Sequence, residues 1–266
     1  MCLLVTASRI VPDEPLIVGA NRDEVLDRPS TPVALLSAGP PRVLGGRDEL
    51  SGGTWLAVNR AGVCAGLTNQ PLGDAKDPTK RSRGELPLAA AQCSTAREAV
   101  ELLARDFDPT EYNGAWMLVG DPTSLWFVDF TGARVVTVEL PPGIHVLENR
   151  AVDTPSAKVD LVREGLGDVG VATATGSGTG LDGDAVEAAF RRVLVDHRIP
   201  EGDERPNSGN CVHLDGFGTR SSCVVRVGTR ARADAAVGSE PAPRMWVADG
   251  PPCTTPYADV SALWGE

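Results

Sequence analysis

The residue best suited to chemistry is Cys2, which follows Met1 and precedes an apolar run over residues 3–7. A thiol with a pKa of about 8.5 is mostly protonated at neutral pH, whereas an α-amine with a pKa of about 7.7 to 8.0 is partly unprotonated. If Met1 is removed, the amine of Cys2 can take the proton of its own thiol, and the residue needs no separate histidine. A buried cysteine at the start of a strand, with Met1 retained, is the alternative interpretation.

The polar segment 21–24 is predicted to lie beside Cys2. Two short apolar runs, at residues 3–7 and 16–20, are separated by a turn-like stretch at 11–15 that is rich in proline and acidic residues. This arrangement is typical of a β-hairpin. Because a hairpin returns its second strand to the start of its first, the residues that follow the second run are expected near Cys2.

An amide, a guanidinium and two carboxylates are concentrated in this segment, which reads Asn21-Arg22-Asp23-Glu24. Burial of charged groups is unfavourable unless they pair with each other or with a substrate. A solvated turn whose charges pair among themselves is the alternative. Strand alternation would place Asn21 and Asp23 on one face. Arg22 and Glu24 would lie on the other, and which pair faces Cys2 stays open.

A second hairpin is predicted from strand-like runs at 51–58 and 63–69, joined by a turn at 59–62. Its last residue, Asn69, is an amide donor of the kind that forms oxyanion holes. An asparagine that closes a strand is, however, more often a turn former. Cys64, in the middle of the second run, is expected in the core and not as a second nucleophile.

The composition is that of a globular protein large enough to bury a full core. The chain has 266 residues, of which 42% are hydrophobic and 23% charged, and its net charge of -11 would repel a nucleic-acid backbone. Its six cysteines are scattered, unlike those of a disulfide-rich secreted domain. Neither a leader peptide nor a membrane-spanning run is evident. We therefore expect a cytoplasmic protein, with no nucleic-acid partner, folded as a single domain over residues 1–266.

The remaining patterns predict further strands and helices. Strands are expected at 115–119, 125–130, 135–138 and 144–147. Helices are expected to begin near residues 85 and 95, to run from 153 or 154 to about 166, and to cover 184–196. The glycine-rich stretch 173–180 lacks the lysine of a phosphate-binding loop and is interpreted as a flexible connector. Cys211 and His213 are potential metal ligands, but without a second pair they do not predict a metal site.

A series of short motifs extends along most of the chain. They are the Met-Cys start, Asn-Arg-Asp-Glu after the first hairpin, Arg28-Pro29, Gly-Gly-Thr-Trp-Leu, Leu-Thr-Asn, Ser82-Arg83-Gly84-Glu85, Tyr112-Asn113-Gly114, Leu147-Glu148-Asn149, Asp153-Thr154-Pro155 and Phe217-Gly218-Thr219-Arg220-Ser221-Ser222. In this order they resemble the NRDE family, also called the transport and Golgi organisation family.

The resemblance implies an N-terminal nucleophile hydrolase fold, an α+β fold that is a four-layer αββα sandwich of two antiparallel sheets. Choloylglycine hydrolases, penicillin acylases and acid-ceramidase-like amidases are distantly similar, and they hydrolyse non-peptide amide bonds. Carried over to this chain, the resemblance makes Cys2 both nucleophile and base. It also implies a pocket in which Arg22 and Asp23 position the amine and substrate, Asn69 and Asn149 hold the oxyanion and orient the amine, and Arg220 faces the nucleophile.

We therefore expect hydrolysis of an acyl-amide bond through a thioester on Cys2, with no cofactor and no metal. The expected partner is a small acyl or amphipathic molecule. Its candidate contacts are Asn21, Trp55 and Asn113.

The alternative is a non-catalytic binding or carrier protein, because members of the resembled family have been linked to haem and acyl-CoA handling. In that case Arg22 and Arg220 would meet carboxylates or phosphates. Trp55 and Trp116 would line an apolar pocket.

Overall fold

A computed structural model describes residues 2–71, 76–174, 180–229 and 242–265. Its strands in chain order are β1 (Leu3–Ser8), β2 (Leu16–Val25), β3 (Ser30–Ser37), β4 (Val43–Asp48), β5 (Leu56–Asn59), β6 (Cys64–Asn69), β7 (Ala115–Gly120), β8 (Leu125–Asp129), β9 (Val136–Glu139), β10 (Gly143–Leu147), β11 (His213–Leu214), β12 (Phe217–Val227), β13 (Arg244–Ala248) and β14 (Ala258–Asp259). Its α-helices are α1 (Glu85–Ala90), α2 (Ala96–Asp106), α3 (Ala157–Leu166), α4 (Asp168–Ala174) and α5 (Gly183–Val195), and shorter 3₁₀ turns cover Pro109–Glu111 and Ser261–Gly265.

The strands form two sheets whose ladders are antiparallel. The first sheet has the order β10-β1-β2-β12-β13-β14, with β11 paired to β12, and the second runs from β3 to β9 in chain order. β1 and β2 form the predicted opening hairpin, in which Leu3 is opposite Asn21. Cys2 precedes Leu3 and therefore lies level with Arg22 on the neighbouring strand.

The sheets pack face to face, and alternate residues of β1 show how. Leu4 points into the core between the sheets, where it joins Leu118 of β7. Leu3 and Val5 point the other way, into a core shared with Phe190 of α5. Side chains alternate along a strand, so β1 is buried on both faces. Each fully buried aliphatic side chain contributes about 1.5–3 kcal/mol of transfer free energy.

Helices cover the outer face of each sheet. α3 and α5 pack on the first sheet, whereas Leu86 of α1 and Leu103 of α2 pack against Met117 of the second. α2 begins where its capping pattern predicts, because the hydroxyl of Thr95 accepts a hydrogen bond from the amide of Glu98. The four layers confirm the predicted αββα fold class.

Two features near the first hairpin differ from the sequence patterns. β2 continues to Val25, beyond the predicted run at 16–20, so the segment 21–24 is strand and the alternative of a solvated turn is wrong. β3 and β4 are not predicted above, because β4 contains Gly45 and Gly46, which have low strand propensity. The second glycine is needed for packing, since a Cβ at Gly46 would lie 2.1 Å from the ring of Trp55. The indole of Trp55 therefore occupies the space that any side chain at this position would take.

The described helices include none long and apolar enough to cross a bilayer. Met1 lies outside the described residues, as does the part of the predicted glycine-rich connector at 175–179.

Candidate active site

A cleft of about 570 Å³ opens at the end of the first hairpin. Its wall is formed by Cys2, by the second half of β2, by the end of β6 and by the segment before β5. The side chains include Cys2, Arg22, Asp23, Glu24, Arg28, Asp48, Trp55, Asn69, Lys76, Asp77, Lys80, Arg81, Arg83 and Asn113. Basic groups outnumber acidic ones, although the whole chain is acidic.

Cys2 lies in the wall of this cleft and is 8% exposed. Its Sγ is 4.0 Å from the main-chain oxygen of Asp23. Burial raises the pKa of the Cys2 thiol, and the charge of Asp23 acts in the same direction, while Arg22 acts against them. The thiol is therefore protonated at neutral pH, and nucleophilic attack by its sulfur requires a base.

Arg22 occupies the intersheet side of β2 and is 4% exposed. Its guanidinium carbon lies 4.4 Å from the centroid of the Trp55 ring. Nη1 of Arg22 is buried and has no hydrogen-bond partner among the residues that the structure describes. Burial lowers the pKa of Arg22, and the nearby thiol of Cys2 partly offsets this effect. A buried guanidinium donor without a partner is unfavourable in isolation and fits an anionic or carbonyl oxygen from a ligand.

Asp23 is held from the opposite side by Thr219, whose hydroxyl donates to its Oδ1 at 2.6 Å. Burial raises the pKa of Asp23, and the positive charge of Lys158 opposes that shift. Lys158 itself donates to the carbonyl of Gly209 at 2.9 Å. Asp23 is thus positioned with both its main-chain oxygen and its carboxylate at the start of β1.

Asn69 ends β6 in the cleft wall, and Asn149 lies behind it. The side-chain amide of Asn149 donates to the main-chain oxygen of Asn69. Asn149 does not line the cleft, and within the described part of the chain its buried Oδ1 has no hydrogen-bond partner. A further bond from the Thr68 hydroxyl to the carbonyl of Glu148, at 2.7 Å, joins the same two segments. The structure thus places Asn69 in the cleft wall that Cys2 also lines, and Asn149 as a support for Asn69.

The three residues predicted to contact substrate have different surroundings. Trp55 lines the cleft beside Arg22. Asn113 also lines it, but its amide group bonds both the amide and the carbonyl of Asp77 at 2.9 Å, so it holds the rim. Asn21 faces α5 instead and does not line the cleft.

Arg220 and Trp116 also lie outside the cleft wall. The pairing of β12 with β2 shifts register between Thr219 and Ser221, so Arg220 is the extra residue of a β-bulge. A bulge redirects the side chain, and Arg220 instead donates to the carbonyl of Leu26 at 2.5 Å. Trp116 packs in the core between the sheets, so it does not line the cleft with Trp55.

Arg83 is a cleft residue that the sequence patterns did not select. It is half-buried just before α1 and donates to the carbonyl of Gly114 at 3.1 Å. Burial lowers the pKa of Arg83, and the charge of the Cys2 thiolate would counteract this. Arg83 therefore supplies a second guanidinium near Cys2. The signal that could have found it is its place in the Ser82-Arg83-Gly84-Glu85 motif, although an arginine just before a helix is more often solvated.

The fold of this chain is shared with solved hydrolase structures. A Caenorhabditis elegans N-acylethanolamine-hydrolyzing acid amidase ortholog superposes with a TM-score of 0.58 at 14% identity, covering 92% of this chain and 99% of its own. The conjugated bile acid hydrolase of Clostridium perfringens superposes with a TM-score of 0.53 at 10% identity, covering 97% of this chain and 96% of its own. At such identities the likeness shows the fold alone, that of the N-terminal nucleophile hydrolases.

Sequence comparison is more specific. The family model described as Transport and Golgi organisation 2 matches residues 1–235. The Transport and Golgi organization protein 2 homolog of Bos taurus is 28% identical over 235 residues, which covers 80% of this chain and 82% of the relative. The Homo sapiens homolog is 27% identical over 234 residues, with the same coverage of 80% and 82%. The chain therefore belongs to the Transport and Golgi organisation 2 family.

Proposed function

We propose that the protein is an amide hydrolase in which Cys2, freed by removal of Met1, is the nucleophile. The observation that carries this proposal is that Cys2 shares the wall of one cleft with Asn69 and with Arg22, whose buried Nη1 has no hydrogen-bond partner among the described residues. A merely structural cysteine would not need these polar groups around it, because thiols pack well among apolar side chains.

The proposed reaction begins when the α-amine of Cys2 takes the thiol proton and Sγ attacks the carbonyl carbon of an acyl amide. Asn69 donates to the oxyanion of the tetrahedral intermediate. The C–N bond then breaks as the protonated α-amine returns its proton to the leaving amine, which leaves a thioester on Cys2. Water then attacks the carbonyl carbon of the thioester and gives one proton to the α-amine. The C–S bond breaks, the α-amine returns that proton to the sulfur of Cys2, and a free carboxylic acid is released.

Asp23 is proposed to orient the α-amine. Its main-chain oxygen is 4.0 Å from Sγ of Cys2, and its side chain is fixed by Thr219. A buried carboxylate beside an amine accepts a hydrogen bond from it and fixes its direction. We assign Asn149 as a positioning residue, since it bonds the main chain of Asn69 and not the cleft.

The proposed substrate is an N-acyl compound with a negatively charged group. Arg22 and Arg83 lie near Cys2, and Lys76, Lys80 and Arg81 line the outer part of the cleft. A cleft of about 570 Å³ has the size of ordinary small-molecule sites. By their names, the two similar hydrolases act on N-acylethanolamines and on conjugated bile acids, which supports an acyl amide as the substrate class. Haem or acyl-CoA handling stays a prediction.

Hydrolysis of a panel of N-acyl amino acids and matched N-acyl amines tests the proposal. Wild-type protein is expected to release free amine, with a preference for the anionic members. The Cys2→Ala variant should release none, whereas Cys93→Ala, which removes a buried thiol between α1 and α2, should match wild type. Equal release of free amine by wild type and by Cys2→Ala would refute the proposal that Cys2 is the nucleophile of an amide hydrolase.

A further inference from the structure

Two histidines and two cysteines converge on the far side of the first sheet. They are His197 after α5, Cys211 and His213 at β11, and Cys253 after β13, and none of them lines the cleft described above. Ligand atoms of His197, His213 and Cys253 lie within 4.8 Å of one another. Sγ of Cys211 lies 3.4 Å from Nε2 of His213 and 3.7 Å from Sγ of Cys253.

The separations of Sγ of Cys211 from Nε2 of His213 and from Sγ of Cys253 match those of atoms that share one tetrahedral zinc ion. Zn–S bonds of about 2.3 Å and Zn–N bonds of about 2.0–2.1 Å place two sulfur ligands about 3.8 Å apart and a sulfur and a nitrogen about 3.6 Å apart. The distance between the sulfurs of Cys211 and Cys253 and that between Cys211 and His213 agree within about 0.2 Å. Nε2 of His213 is 3.0 Å from Sγ of Cys253, and this gap would open by about half an ångström.

A disulfide explains less of this arrangement. The sulfur atoms of Cys211 and Cys253 are 3.7 Å apart, well beyond the S–S bond length of about 2.05 Å. A disulfide would also leave unexplained why Nε2 of His213 lies against both sulfurs. It would not explain why a ligand atom of His197 lies within 4.8 Å of Sγ of Cys253. A small recess of about 340 Å³, lined by all four residues, offers an entry path from solvent.

The scaffold fixes these segments without a metal. The amide of Cys211 donates to the carbonyl of Asp196 at 2.8 Å, which brings Cys211 beside His197. The side chain of Asn21 donates to the carbonyls of Leu194 and Asn210 at 2.8 Å, so it joins the end of α5 to the residue before Cys211. Asn21, predicted as a substrate contact, thus supports the cluster.

We propose that His197, Cys211, His213 and Cys253 bind one zinc ion in a closed Cys₂His₂ site. Four protein ligands leave no position for water or substrate, so the ion is structural. It ties the end of α5 to the loops before β11 and after β13. These ligands were not predicted as a set because they are up to 56 residues apart (253 minus 197), and only the fold brings Cys253 to the Cys211–His213 pair.

Metal analysis of untagged protein, purified anaerobically, tests the site. Wild type and the control Cys93→Ser are expected to hold one zinc per chain. The paired variant Cys211→Ser with Cys253→Ser should hold none. His197→Gln changes an exposed side chain and should fold, but bind zinc at least about 10-fold more weakly.

Cobalt provides a second readout that needs no variant. Chelator-treated wild type, titrated with cobalt, should show the visible absorption of a tetrahedral ion and thiolate-to-cobalt charge transfer, and zinc should displace it. Wild-type protein that retains no zinc and gives no tetrahedral cobalt spectrum would overturn the proposal. So would peptide mass spectrometry that finds a Cys211–Cys253 disulfide in the anaerobically purified chain.

Discussion

The guanidinium of Arg22 lies over the indole of Trp55, 4.4 Å from the ring centroid. Stacking of this kind contributes about 0.5–2 kcal/mol and holds the plane of the guanidinium. Nη1 of Arg22 is buried and has no hydrogen-bond partner within the described residues. Trp55 therefore holds in place a cationic donor that is available to an oxygen atom of a ligand. This arrangement is the basis for expecting an anionic substrate.

Replacing Arg22 with glutamine should raise KM for an anionic N-acyl substrate by about 10- to 100-fold, because a hydrogen bond to a charged group contributes about 1.5–3 kcal/mol. The neutral N-acyl amine with the same acyl chain serves as the control, and its KM should rise much less. Steady-state kinetics on the two substrates measures the difference. An equal rise in KM for both substrates would show that Arg22 does not bind the negatively charged group.

Asn69 and Asn149 should differ in their effect on catalysis. Asn69→Ala removes the proposed oxyanion donor and should lower kcat by about 10²–10³. Asn149→Ala removes only the bond to the Asn69 main chain and should lower kcat less, with partial recovery in Asn149→Gln, which keeps an amide donor. An Asn69→Ala enzyme with wild-type kcat would remove Asn69 from the mechanism.

His145 should stabilise the fold mainly in its protonated form. Burial acts to lower the pKa of His145, but bonds to Asp153 and to the carbonyl of Pro141 outweigh it and raise that pKa above 6.5. Both partners accept hydrogen bonds, at 2.7 and 2.9 Å, so only the imidazolium can donate to both.

A folded-state pKa above the unfolded value gives stability that is complete below about pH 6.5 and is lost as the pH rises through the folded-state pKa. His145→Gln should therefore lower the free energy of unfolding more at about pH 5.5 than at about pH 8.5. Urea unfolding at the two pH values measures this. A larger loss at the higher pH would contradict the assignment.

An ion-pair network around the buried Arg226 joins β12 and the connection between β1 and β2 to α5. The guanidinium of Arg226, whose side chain is 5% exposed, binds the carboxylate of Glu14, which is 6% exposed. It also binds Asp184 at 2.6 Å and Glu187 at 2.7 Å, and Arg244 binds Glu14 at 2.7 Å.

Glu14→Gln removes the carboxylate that Arg226 and Arg244 share, while Arg226 keeps Asp184 and Glu187. It should lower the free energy of unfolding by about 1.5–3 kcal/mol. Asp106→Asn, which breaks an exposed pair with Arg105, should leave it unchanged within error. Urea denaturation of both variants makes the comparison. If Glu14→Gln lowers the free energy of unfolding no more than Asp106→Asn does, the network stabilises the fold no more than an exposed ion pair.

Local patterns predicted the parts of the site that depend on strand alternation and on a single hairpin. β1, β2 and the approach of the segment 21–24 to Cys2 follow from two apolar runs and the turn between them. The sequence alone does not decide which residues of that segment face Cys2. The fold class came from the family resemblance and is confirmed. Residues whose direction depends on an irregularity were not predictable in this way. The bulge at Arg220 redirects that side chain, and no local signal marks it.

Long-range contacts set the remaining limits. Arg83 enters the cleft because the segment before α1 folds back over Gly53, where a Cβ would lie 2.5 Å from the main chain of Gly84. His197 and Cys253 join Cys211 only because the first sheet brings their loops together. Such contacts depend on tertiary packing, which neither periodicity nor spacing encodes.

The most direct test is mass spectrometry of the purified chain after reaction with an electrophilic acyl probe, such as a β-lactone. We expect a chain that lacks Met1 and carries one acyl group, which peptide analysis places on Cys2, and no adduct on Cys2→Ala. A chain that keeps Met1, or an acyl group found on the more exposed Cys253 instead of Cys2, would contradict the proposed nucleophile.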